Sequence, residues 1–187
     1  MEKTIDQNQQ LETIHRMISQ AKGNYAKNSS FHFLFWGWFV ALAALSHFVL
    51  LFTDFLYPFA VWALSIPGIF VSVIYGFRQS RKAEVKTHYD RIYAWIWFAF
   101  IIKGVIIQFF GATFNYQFTP FFLMFAGSAL IVSGITMKFR PLIIGAVINY
   151  AGSIVAFLVP IQYQLLVQVV CVITGYLIPG YLLKNRK

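Results

Sequence analysis

Lys103 is the sequence position with the most pointed chemistry. It is the sole Asp, Glu, Lys or Arg between Ile92 and Met137. An ionisable residue inside a membrane-length apolar run marks an ion or substrate path, or a charge held by a partner. Among the further polar residues that interrupt such runs are His47, Ser65, Gln108, Asn149 and Gln168. Counted at 1.5 Å per residue from the outer ends of their spans, Lys103 lies ~12 Å deep and His47 ~9 Å, with Ser65 and Gln168 similar and Asn149 nearer ~15 Å. These depths predict a polar layer in one half of a helical bundle. Asp54 is seven residues from His47 and is the acidic group nearest that layer. A competing reading has Lys103 snorkel, its ~6 Å stem lifting the ammonium toward the headgroups; a third places it at an oligomer interface. Lys103 stands about 140° round its helix from Gln108, off the small-residue stripe of that helix.

Catalytic signatures are missing. The chain has no H-E-x-x-H, Walker A, G-x-G-x-x-G or G-x-S-x-G motif. No acidic pair falls within an apolar run, and nothing in the spacing of Ser153 and His47 selects a nucleophile with its base. His15, His32, His88 and Asp90 are scattered with no metal-ligand spacing. The lone Cys171 permits no intramolecular disulfide. No cofactor and no metal are expected, and no nucleic-acid-binding module is recognisable.

The elements that must position these residues follow from composition. Of 187 residues, 59% are hydrophobic and 11% charged. Soluble domains average ~25% charged, and a chain this short cannot hide so much apolar surface in one core. Phe31–Thr53, Phe55–Phe77 and Leu142–Leu183 carry no Asp, Glu, Lys or Arg except Asp54 between the first two. About 20 apolar residues cross a bilayer, so the first two runs hold one span each. Ile92–Met137 and Leu142–Leu183 hold two each, broken near 111–120 and at Pro160. The expected fold is all-α: a six-transmembrane-helix bundle over residues 31–183, with spans near 31–53, 57–77, 90–111, 118–138, 141–159 and 162–183. Residues 1–30 form an amphipathic cytoplasmic segment and 184–187 a basic tail. Leu11, Ile14, Ile18, Ala21 and Tyr25 supply the amphipathic stripe, and Ser29 or Ser30 would cap the first span. Thr87 and Asp90 resemble a capping box for the third.

Charge sets the direction. Of 15 Lys and Arg, four precede span one, five lie between spans two and three, two between spans four and five, and three follow span six. The opposite loops hold none. The positive-inside rule then puts both termini in the cytoplasm, with the inner (plasma) membrane as the expected location and anionic lipids as expected partners of the basic face.

Small residues mark faces where helices meet. Gly68, Ser72 and Gly76 recur every four residues in span two; Gly145, Asn149 and Gly152 line span five; Gln164, Gln168, Cys171 and Gly175 line span six. A weak internal repeat relates the Trp36–Phe39 and Trp95–Phe98 openings, and Pro58-Phe59 with Pro120-Phe121. The sequence thus predicts a non-enzymatic membrane protein binding or passing a small solute or ion through a polar interior. The alternative is a membrane-embedded regulatory or scaffold subunit, self-associated or bound to a membrane partner through its basic face; a lipid-modifying enzyme is third.

Overall fold

The computed structural model describes residues 7–82 and 88–185. Thr87 of the capping box, Arg186, Lys187 and the side chains of the Leu11–Tyr25 stripe lie outside the described set. Among described residues the fold is helical and contains no strand. The order is α1 (Gln7–Leu50), a 3₁₀ turn (Pro58–Leu64) leading into α2 (Ser65–Lys82), α3 (His88–Phe109), α4 (Phe118–Thr136), α5 (Arg140–Leu158), α6 (Ile161–Val172), a π-helical turn (Ile173–Leu177) and α7 (Ile178–Lys184).

Five segments are long and apolar enough to cross a membrane: Ser30–Leu50, Pro58–Arg78, Phe118–Thr136, Arg140–Leu158 and Ile161–Lys184. This points to a multi-pass membrane protein. The expected third span is the one that falls short. Its apolar stretch, Ala94–Phe109, is about 24 Å long against a ~30 Å hydrocarbon core.

Three local expectations change. Helix α1 runs for 44 residues straight through Ser29 and Ser30, so neither caps a helix. The same helix stops at Leu50, not Thr53: the Thr53 hydroxyl donates to the Leu50 carbonyl at 2.9 Å and closes the chain into a turn. Asp54 therefore leaves the helical face it was expected to share with His47. The second span opens as 3₁₀, with Pro58 supplying the fixed φ of a first turn.

The core is built by α1, α4, α5 and the α6–α7 pair. Phe33, Val40 and Ala41 of α1 meet Ala126 and Leu130 of α4, Leu142 and Ala146 of α5, and Tyr176 and Leu183 beyond α6. The α4–α5 hairpin is set by its turn. Lys138 adopts φ 49°, the Phe139 N–H donates to the Gly134 carbonyl at 2.8 Å, and the Lys138 N–H donates to Ile135 at 3.1 Å. This is a Schellman stop, and Pro141 begins the next helix in its first turn. Outside this core, α2 and α3 are sparsely covered. Phe77 is 67% exposed and Phe109 83%, as residues facing hydrocarbon are.

The glycines separate tight from open faces. A Cβ at Gly145 would collide with the carbonyl oxygen of Gly175, and a Cβ at Gly175 with the Asn149 amide nitrogen. A Cβ at Gly76 or Gly104 meets nothing within 4 Å. Gly145→Ala is accordingly expected to lower stability by ~1–3 kcal/mol through overpacking against rigid backbone. Gly76→Ala should be neutral or stabilise by up to ~1 kcal/mol through helix propensity. Thermal melting in detergent compares the two, and equal behaviour would contradict the close approach at Gly145.

Candidate functional site

The polar residues of the interior collect between α4, α5 and α6. Gln164 and Gln168 stand one turn apart on α6, Ser153 and Asn149 one turn apart on α5, and Thr119 opens α4. All five are buried. At the end of the bundle that carries the 110–117 turn, the Gln164 amide nitrogen donates to Oε1 of the half-buried Gln117. One turn deeper, the Thr119 hydroxyl donates to Gln168 Oε1 at 3.4 Å. The Ser153 hydroxyl donates to the Pro120 carbonyl at 2.9 Å. That carbonyl lies in the first turn of α4 and faces its own helix's N–H four residues on; its second lone pair is left for the hydroxyl from α5, which ties the two helices together.

Asn149 lies at the middle of α5, with no solvent-exposed surface. Its Nδ2 donates to the Gly145 carbonyl at 2.8 Å, but Oδ1 has no hydrogen-bond donor among the described residues. Burying an amide oxygen without a donor costs ~1–3 kcal/mol. Asn149 sits where α5 and the π turn approach most closely, its amide nitrogen against Gly175. The π turn widens α6 locally, and such insertions recur at functional sites. Gly152 lies one turn outward against Cys171, with no room for a Cβ.

The remaining sequence candidates fall elsewhere. His47 pairs α1 with the 3₁₀ turn before α2: its Nδ1 accepts the Trp62 indole N–H at 3.0 Å, which places the imidazole proton on Nε2. Ser72 accepts the Trp36 indole N–H at 2.9 Å. Gly68 is buried beneath Trp36 and Phe35, while Gly76 stands open. Ser65 is half-buried at the junction of the 3₁₀ turn and α2. Asp54 and Gln108 are exposed. Lys103 is exposed too, and its ammonium lies 5.4 Å from the Phe125 ring centroid on α4. A helical side chain leans toward the N-terminus of its own helix, so Lys103 leans away from the 110–117 turn and onto this ring. Asn149 and Gln168 both lie buried on helices of the α4–α5–α6 interior, Asn149 against Gly175 and Gln168 against Thr119, whereas Lys103, Gln108 and Asp54 are exposed and His47 and Ser65 belong to the α1 side and the start of α2.

Sequence reasoning missed Thr119, Gln117, the Trp62 partner of His47 and the π turn. Thr119 and Gln117 flank a break marked by Asn115 and Pro120 and read as loop. Trp62 is 15 residues from His47 across a turn, and no local spacing encodes that pairing. The π turn had a faint signal in Thr174-Gly175, where the Thr174 hydroxyl donates to the Val170 carbonyl at 2.7 Å.

No family model, no curated protein and no solved structure matches this chain.

The Lys103–Phe125 contact is measurable by a double-mutant cycle of Lys103→Met and Phe125→Leu. A cation over a ring contributes ~0.5–1 kcal/mol when exposed and ~2 when desolvated. A coupling in that range is expected from melting in detergent; strictly additive effects would mean that the ring does not hold the charge.

Proposed function

We propose that the chain is a six-crossing, non-enzymatic membrane protein whose α4–α5–α6 seam binds a small solute or monovalent cation entering past Gln117 and Gln164. The reading is carried by Asn149 Oδ1: a fully buried acceptor with no donor among the described residues, at the inner end of a file of buried amides and hydroxyls. In low dielectric such an acceptor favours a cation or a hydrogen-bond donor. The same file pairs with itself at Gln164–Gln117 and Thr119–Gln168, so a ligand competes with weak or rearrangeable bonds, not with bulk water. Inward of Asn149, the Gly145–Gly175 contact closes the seam. Passage to the other side requires α5 and the π turn to separate there; binding does not.

Six crossings are favoured by the charge distribution and by α3 itself. Trp97 of α3 packs edge-on to Phe33 at 6.1 Å and to Tyr176 at 6.3 Å, and Phe100 meets Phe122 at 5.5 Å. A helix bound along the bundle at this depth crosses with it, and a shortfall of a few ångströms is met by local thinning of the bilayer. In a Cys171→Ser background, single cysteines at Gln79 and Asn185 should react from one side of the membrane and a cysteine at Asn115 from the other. If α3 does not cross, Asn115 labels from the same side as Gln79.

Binding is read by melting the purified protein in neutral detergent. Choline chloride serves as the reference, against sodium, potassium and ammonium chlorides, urea and glycerol. At least one probe should raise the melting temperature, since a ligand at 100 times its Kd stabilises by ~2.7 kcal/mol. Asn149→Ala should lose the response. No response from any of these probes, or an equal response in Asn149→Ala, removes the reading.

A further inference from the structure

At the end of the bundle where α7 stops, α1, α2 and α7 enclose an open groove of about 620 Å³. Its wall is one face of α1. Phe31, Leu34, Phe35 and Trp38 follow each other at helical spacing over about 10 Å of rise. Tyr75 of α2 also lines the groove and stacks on Phe31 with ring centroids 3.9 Å apart, extending the aromatic face. Lys184, the last residue of α7, is, among the described residues, the one charged residue lining the groove. The Trp38 indole N–H donates to the Tyr181 hydroxyl at 3.1 Å and ties α1 to α7 along the groove. Trp38 remains 47% exposed.

The wall is apolar over the length of several methylene groups, and its polar end is cationic. Because Lys184 ends a membrane-length segment, Ile161–Lys184, its ammonium belongs at the depth of a headgroup phosphate. The sequence continues with Asn185, Arg186 and Lys187, two further positive charges that the test must separate from Lys184. Tryptophan and tyrosine beside such a charge suit the boundary between acyl chain and headgroup. The geometry points to a binding groove for one anionic phospholipid, with its acyl chain along the Phe31–Trp38 face and its headgroup on Lys184. This site is separate from the α4–α5–α6 seam, and its test does not depend on that seam.

The full chain in neutral detergent is titrated with dioleoyl-phosphatidylglycerol or dioleoyl-phosphatidylcholine, and bound lipid is counted by native mass spectrometry. Phosphatidylglycerol should bind about fivefold tighter, since one basic residue near a headgroup is worth ~1 kcal/mol. Lys184→Gln should erase the preference. The double change Arg186→Gln with Lys187→Gln should leave most of it. Trp38→Glu, which puts a carboxylate on the wall, should weaken both lipids, and Trp38→Phe should restore binding. Melting temperatures confirm that each variant is folded; if Trp38→Glu does not fold, the Lys184 comparison decides alone. Equal binding of the two lipids overturns the groove, and so does a preference that survives Lys184→Gln. A preference lost as fully in the Arg186/Lys187 variant also overturns it, because a diffuse basic surface would then be responsible.

Discussion

The contact between Gly145 and Gly175 governs the interior. Two backbones meet there with no side chain between them, which only glycine on both sides permits. Asn149 wedges its amide nitrogen against that crossing and returns it to the Gly145 carbonyl. The π turn at Ile173–Leu177 bulges α6 at the same height. Tyr176, carried by that turn, meets Phe33 at 5.5 Å and Trp97 at 6.3 Å, so the position of the turn also fixes where α1 and α3 can lie. Moving α5 away from α6 would disturb four helices together.

A second division runs between the core helices and the two flanking ones. Helices α4, α5 and α6 spend their polar residues on each other: Ser153 on Pro120, Thr119 on Gln168, Gln164 on Gln117. Helix α2 and the 3₁₀ turn that leads into it rely on two indoles, Trp62 to His47 and Trp36 to Ser72, and α3 on aromatic edges and the Lys103–Phe125 contact. Hydrogen bonds through amides and hydroxyls need backbones close together, which small residues allow. Indoles and phenyl rings bridge wider gaps. The flanking helices therefore sit farther out and leave more apolar surface to lipid.

Much of this was legible in the sequence, for identifiable reasons. Runs without charge show the apolar helices, because hydrocarbon tolerates little else. The stripe through Gly145, Asn149 and Gly152 reads directly at helical spacing, and so does Gln164–Gln168. The depth argument that grouped Lys103 and His47 with Asn149 was weaker. Depth is a distance along one axis, and residues at one depth can stand on opposite sides of a bundle. Only the angular order of the helices separates them, and that order is set by pairings such as Trp62 with His47 that no spacing encodes. Asp54 was misplaced because the apolar run Leu50–Leu51–Phe52 continues past the point where the helix turns off. Ser29-Ser30 read as a cap, yet serine is a cap only where the preceding backbone leaves the helix, and here it does not.

The continuity of α1 has a mechanical side. Its membrane-length part begins at Ser30, and the same helix extends back to Gln7, an arm of about 35 Å. With no proline and no break at the junction, the hydrogen-bond ladder of the arm runs directly into that of the span. A tilt of ~10° in the span sweeps the far end of the arm through about 6 Å. Gly37 of the span packs closely against Leu177 of the π turn, so the helix that carries this arm touches the bundle two residues from the Gly145–Gly175 crossing.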